Sequence, residues 1–245
     1  MENLYKYTRL YINAPFSQNE EILLNSNHSH YLKNVLRKGS GDFLRVFNGV
    51  DGEWLARIDD IKKKNGVAIL TQKVREQGES RPPLLLFFSP IKKQRMDFLI
   101  EKSVELGVTE LYPVIFNRTE NRKINEERIC SQIIEASEQC ERLDVPTLHP
   151  IQKLSEVLSR KGGVVGGIPL MVCLERDNVS VPLSSLSYDG GCAFMVGPEG
   201  GFDSDEVSCL KSDKGMSFVN LGDDILRAET AAVACLSYAK MVTSK

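Results

Sequence analysis

The sequence predicts an α/β chain in two parts. A small β-barrel or β-sandwich domain is expected over residues 1–78, and a domain with a mostly parallel sheet over residues 79–245. Three observations carry this. The polar stretch Gln77-Gly78-Glu79-Ser80-Arg81-Pro82-Pro83 closes on two prolines that cannot continue a helix or a central strand. Before it, short apolar segments alternate with polar residues and are separated by turn chemistry. After it, strand and helix patterns alternate, as a parallel sheet requires.

Each element has its own signal. Phe43-Leu44-Arg45-Val46-Phe47 alternates, and Asn48-Gly49-Val50-Asp51-Gly52 supplies a turn before strands at 54–58 and, after Asn65-Gly66, at 67–70. One helix is expected in this part, at 30–37. In the second part, Leu84-Leu85-Leu86-Phe87-Phe88 is a continuous apolar run, the mark of a strand buried on both faces. Met96, Leu99, Ile100, Ser103 and Val104 then share one helix face, and Gly107 suits the position just past its end. Strands at 111–116, 170–174, 193–196 and 217–221 follow, with helices at 126–139, 154–159, 204–211 and 229–241.

A chain of 245 residues can bury its core without disulfides or a structural metal. With 42% hydrophobic and 26% charged residues, disordered, collagen-like and coiled-coil readings are excluded. The net charge of −2 argues at first against nucleic acid, but it averages two halves. Residues 1–128 hold 21 Lys/Arg against 17 Asp/Glu, and residues 129–245 hold 10 against 16, so an anionic partner stays open for the first half. The amino-terminal residues lack an apolar signal core, and no run reaches the length of a membrane span. Six cysteines form no CxxC pair, which fits reduced thiols in a cytoplasmic protein. His28 and His30 lack a third ligand for a metal site, His149 is isolated, and no nucleophile elbow supports Ser-His-Asp chemistry.

Ligands of open parallel sheets bind beyond the carboxyl ends of the strands. Three such ends stand out: Leu174-Glu175-Arg176, Gly197-Pro198-Glu199-Gly200-Gly201, and Leu221-Gly222-Asp223-Asp224-Ile225-Leu226-Arg227. The glycines of the second let a ligand approach backbone N–H groups, and Asp203 and Glu206 stand at capping-box spacing for the next helix. Ile225 and Leu226 suit a pocket wall for a flat apolar group. Arg227 suits an anionic group or a salt bridge to Glu229. Neither GxGxxG nor GxxxxGK[ST] occurs, which removes support for standard dinucleotide and NTP sites.

Together these motifs carry a resemblance. Val196-Gly197-Pro198-Glu199-Gly200-Gly201-Phe202, then Leu221-Gly222-x-x-Ile225-Leu226-Arg227-x-Glu229-Thr230-Ala231, resemble the signature of the RsmE family within the SPOUT superfamily. Arg95-Met96-Asp97-x-Leu99-x-x-Lys102-x-x-Glu105-Leu106-Gly107-Val108 and Glu135-Ala136-x-Glu138-Gln139 with Arg142 match in order. His30-Tyr31-Leu32-x-x-Val35-Leu36-Arg37 with Gly41-Asp42 resembles the family's amino-terminal PUA-like domain. The resemblance implies a PUA-like β-barrel before a SPOUT-type parallel sheet with a deep trefoil knot, pairing as a homodimer through the knot domain. It also implies S-adenosylmethionine-dependent methylation of N3 of one uridine in 16S ribosomal RNA, on the assembled small subunit. Cofactor contacts are expected from Leu174, Glu175, Gly197, Pro198, Glu199, Gly200, Gly201, Leu221, Gly222, Ile225 and Leu226. Two residues depart from the family pattern: Asp224, where many relatives carry a basic residue, and Glu141, where they often carry glycine.

Methyl transfer from a sulfonium chiefly needs alignment, and uracil N3–H must lose its proton. A cation that stabilises the developing uracil anion therefore matters more than a strong base. Arg227 is expected in that role, at O2 or O4, or positioning the phosphate, and Glu199 as proton acceptor. RNA phosphates are expected to meet Arg9, Lys33, Arg37, Lys38 and Arg45 in the first part. In the second part the candidates are Lys92, Lys93, Arg95, Arg118, Arg122 and Lys123. Two readings compete: a SPOUT methyltransferase acting on a ribose 2′-hydroxyl or on transfer RNA, and a non-catalytic RNA-binding adaptor.

Overall fold

The computed structural model describes residues 4–159, 167–175, 177–185, 190–213 and 215–243. The chain forms two compact units. One comprises Met1–Ser80 with Ser137–Val145, the other Arg81–Ala136 with Pro146–Lys245, so a short later segment belongs with the amino-terminal unit.

In the first unit, β1 (Arg9–Tyr11), β2 (Glu21–Leu24), β3 (Phe43–Phe47), β4 (Glu53–Ile61) and β5 (Gly66–Arg75) form one sheet in the order β1-β3-β4-β5-β2. Only the β1–β3 pair is parallel. β3 shows why its sequence alternates while its burial does not. Leu44 and Val46 enter the apolar core with Ala56, Ile58, Ala68 and Leu70, whereas Arg45 and Phe47 are buried on the opposite face. The helix expected at 30–37 is instead a short α1 (Ser26–His30), capped by the Asn25 side chain, running into a π-helical turn at Tyr31–Val35. Arg37 ends it in the left-handed region, at φ 55°.

The face opposite the apolar core holds a charge cluster, and it corrects one expectation. Arg9 and Arg45, expected on RNA, are only 6% and 5% exposed. Arg9 Nε donates to Glu53 at 2.5 Å, and its other nitrogens donate to the carbonyls of Ser137 at 2.8 Å and Arg142 at 2.6 Å. Arg45 reaches Glu53 at 3.5 Å and Glu141 at 2.6 Å. Burial pulls the Arg9 guanidinium below its ordinary value, and the bond from Glu53 opposes that pull. Both guanidinium groups are committed to internal partners and cannot reach phosphate. Glu141 stands past the end of a helix at φ 58°, a conformation that favours glycine, and its carboxylate holds Arg45.

The second unit contains β6 (Leu84–Phe88), β7 (Glu110–Ile115), β8 (Thr147–Leu148), β9 (Gln152–Lys153), β10 (Leu170–Cys173), β11 (Val181–Pro182), β12 (Cys192–Val196) and β13 (Met216–Asn220). The sheet order is β11-β13-β10-β12-β6-β7-β8, with β9 on β7, and every pairing is parallel. Its helices are α2 (Lys93–Glu105), α3 (Glu126–Gln139), α4 (Leu154–Leu158), α5 (Ser204–Ser212) and α6 (Ala228–Thr243). The end of α3, from Ser137, groups with the first unit. Every residue of the central strands β6 and β12 is buried, as their continuous apolar runs require. Gly107 follows α2 at φ 99°. After β13 the chain leaves the far side of β10 and returns as α6 onto β12, β6 and α2. Among the described residues, no helix is long and apolar enough to cross a membrane.

Candidate cofactor cleft at the carboxyl edge of the parallel sheet

Because the strands are parallel, the loops leaving β6, β7, β10, β12 and β13 emerge at one edge, where a cleft of about 640 Å³ opens. Leu174, Glu175 and Asp177 follow β10, Gly197 to Phe202 follow β12, and Ile225 to Ala228 lead into α6. The three strand ends singled out in the sequence thus meet in one place, although Arg176 lies outside the described residues. Leu221 and Gly222 are set back from the cleft wall; Gly222 provides the turn, at φ 115°.

The loops brace one another. Leu226 N donates to Glu175 Oε1 at 3.3 Å, joining the first loop to the third. Within the glycine loop Gly201 N donates to the Pro198 carbonyl at 2.8 Å, and Gly201 sits at φ 69°. Gly197 is needed for space: a Cβ there would stand 2.9 Å from the Phe202 ring. That ring packs edge-on to Phe116 with centroids 5.2 Å apart. The capping box forms as the spacing implied, with Glu206 N donating to Asp203 at 2.8 Å and Asp203 N to Glu206 at 3.0 Å. Asp203 also accepts from the Asn117 side chain, and Glu206 from Asn117 N at 2.7 Å. The Glu206 N–H, followed by Asn117, holds the Asp203 carboxyl below the usual range. Asp177, on the cleft wall, is held low chiefly by Lys211 at 2.7 Å and then by the Val179 N–H.

Among the described residues, six charged side chains face this cleft besides its apolar wall: Arg95, Arg118 and Arg227 against Glu175, Asp177 and Glu199. Arg95 donates to Glu199 at 2.8 Å and stands 3.7 Å from Glu229. Glu229 is therefore partnered by α2 rather than by Arg227, and its Oε2 is buried without a hydrogen-bond partner among the described residues. Arg227 is exposed, and its side chain makes no ion pair among the described residues. Arg118 donates to the Gly200 carbonyl at 2.8 Å. Sequence reasoning had placed Arg95 and Arg118 on RNA; parallel-strand topology, which the local sequence does not display, brings them to the cleft. It also missed Phe202 as a wall residue, though an aromatic directly after two glycines was a usable signal.

The other expected RNA residues are dispersed. In the first unit Lys33 donates to the Ile61 carbonyl at 3.2 Å, Lys38 lies 3.8 Å from Asp42, and Arg37 is exposed. In the second, Lys92 is exposed, Lys93 stands 3.6 Å from Asp97, and Arg122 donates to the Asn117 carbonyl at 3.1 Å. Among the described residues no group of three or more His, Cys, Asp or Glu could hold a metal.

S-adenosylmethionine fits this cleft on the structure's own terms. The volume lies in the range of small-molecule sites, Leu174, Val196 and Leu226 offer apolar surface, and Cβ-free backbone runs along the wall. Glu175, on the wall and in no ion pair among the described residues, suits a cationic end of a ligand. Comparison with known proteins agrees. A family model described as an RNA methyltransferase domain matches residues 79–240, and one described as an RNA methyltransferase PUA domain matches residues 24–71. The fold and cleft thus define an RNA methyltransferase that carries a PUA-type domain. A curated relative, the ribosomal RNA small subunit methyltransferase E of Rickettsia conorii, is 35% identical over 98% of this chain and 97% of its own. A crystal structure of ribosomal RNA small subunit methyltransferase E from Neisseria gonorrhoeae bound to S-adenosyl methionine superposes with a TM-score of 0.86. It is 30% identical and covers 97% of this chain and 98% of that one. A putative methyltransferase from Legionella pneumophila, in complex with the bound cofactor SAM, gives 0.85 at 27% identity over 97% and 98%. The chain belongs to the ribosomal RNA small subunit methyltransferase E family.

Proposed function

We propose that the chain methylates N3 of a specific uridine in 16S ribosomal RNA, on the assembled small subunit, with S-adenosylmethionine held in the cleft. The single observation that carries the reading is the convergence of the three sequence-predicted loops on one cleft beside an uncommitted arginine. The cofactor, when bound, supplies an electrophilic methyl group. Leu174, Val196, Ile225 and Leu226 hold its apolar portion, and the glycine loop packs against it through backbone. Arg227 stabilises the charge that develops on the uracil oxygens, where removal of one such donor typically costs about 10²–10³ in rate. Glu199 receives the N3 proton, with Arg95 orienting its carboxylate. Because N3 lies on the Watson–Crick edge, the base must be unpaired or extruded to reach the cleft.

Three further parts complete the proposal. The return of α6 onto β12 and β6 after β13 supports a knotted chain end, an exception to the rule against threading. The enzyme acts as a homodimer through the knot domain, in the cytoplasm. Exposed Arg37 in the first unit and Lys92 in the second grip RNA phosphates. Single-turnover methylation tests the chemistry. Arg227→Ala should bind cofactor normally and react about 10²-fold more slowly; an unchanged rate removes Arg227 from catalysis.

A further inference from the structure

We infer that Arg118 is a positioning residue for the glycine loop and sets cofactor affinity, rather than a phosphate contact. The inference rests on the cleft being the cofactor's. Three of the five residues in Gly197-Pro198-Glu199-Gly200-Gly201 lack side chains, so the loop must be held from outside to keep one conformation. Arg118 does this in two ways. Its guanidinium donates to the Gly200 carbonyl at 2.8 Å, which fixes the plane of that peptide. Its stem packs on the same residue: a Cβ built on Gly200 would stand 3.4 Å from Arg118 Cβ and 3.5 Å from Cδ.

The segment that carries Arg118 is itself rigid. Thr119 Oγ1 accepts from Phe116 N at 2.9 Å and shares a buried hydrogen bond with Ser89 Oγ at 2.9 Å. Asn117 N donates to Glu206 of the α5 capping box at 2.7 Å. Ser89 N in turn donates to the Val196 carbonyl at 3.2 Å, where the glycine loop begins. The loop after β7 is thus a buttress, anchored to β6 and α5, that presses on the cleft wall through one arginine. The hydrogen bond from Arg118 to the Gly200 carbonyl directs one edge of its guanidinium at the loop.

Calorimetric titration of the full chain with S-adenosylmethionine tests this with three variants. Arg118→Met keeps the stem and removes the donor; affinity should fall about tenfold, the size of one charge-assisted hydrogen bond. Arg118→Lys, which still offers a donor, should recover most of the loss. RNA binding by Arg118→Met should keep the wild-type dependence on salt. Wild-type cofactor affinity in Arg118→Met overturns the inference, as does a salt slope lowered by about one with cofactor affinity intact, the mark of a lost phosphate contact. Leu226→Glu blocks the cleft directly. If that variant also binds cofactor normally, the cleft reading falls and this inference with it; if Leu226→Glu loses binding and Arg118→Met does not, the inference alone falls.

Discussion

Gly197 illustrates how one residue type can be fixed by space rather than by backbone angle. Its φ is not in the left-handed region, yet a Cβ would meet the Phe202 ring at 2.9 Å, and that ring is held by Phe116. Gly197→Ala should therefore destabilise the second unit by about 1–3 kcal/mol and weaken cofactor binding, measurable by thermal unfolding and calorimetry. Arg9 teaches the reverse lesson about charge. Truncation to Met strips Glu53 of its nearest cation and leaves two carbonyls without donors, so a loss of about 3 kcal/mol is expected. Its RNA salt slope should stay as in the wild type. A basic residue in a basic half reads as a phosphate contact; only tertiary structure reveals that Arg9 and Arg45 face inward. No rule of spacing joins Arg9 to Glu53, 44 residues away.

At the scale of elements, long and strongly patterned segments were legible. β3, β6 and α3 occupy the residues their sequences predict, because continuous burial or helical periodicity leaves a clear mark. The strands missed were β1, β2, β8, β9 and β11, each two to four residues long, too short for a period to register. The first-unit helix was misread because a π-helical turn breaks the expected periodicity. The start of α5 was readable to the residue, since its capping box is local chemistry. Asp203 is held below the ordinary carboxylate range, so its contribution is complete above about pH 3.9 and is lost as pH falls through the lowered value. Asp203→Asn should flatten the acid end of the stability profile below about pH 3.9, as read by circular dichroism. An unchanged acid limb would count against this coupling.

At the scale of the whole molecule, the net charge of −2 concealed an uneven distribution. Phosphate contacts are proposed on exposed Arg37 and Lys92, whereas Arg9, Arg45 and Arg142 are buried. RNA affinity should fall steeply with salt, and Arg37→Glu should weaken it and flatten the dependence. The cleft's three loops were legible because glycine, proline and apolar residues cluster at strand ends. What joins them was not, since topology decides which strand ends become neighbours. The proposed methyl transfer to uracil N3 is read directly in its product. Purified small subunits from cells lacking this activity are incubated with the chain and isotopically labelled S-adenosylmethionine, and the ribosomal RNA is mapped by mass spectrometry. One labelled site is expected, a uridine bearing its methyl on N3; label on a ribose 2′-oxygen, or none at all, overturns the proposed reaction.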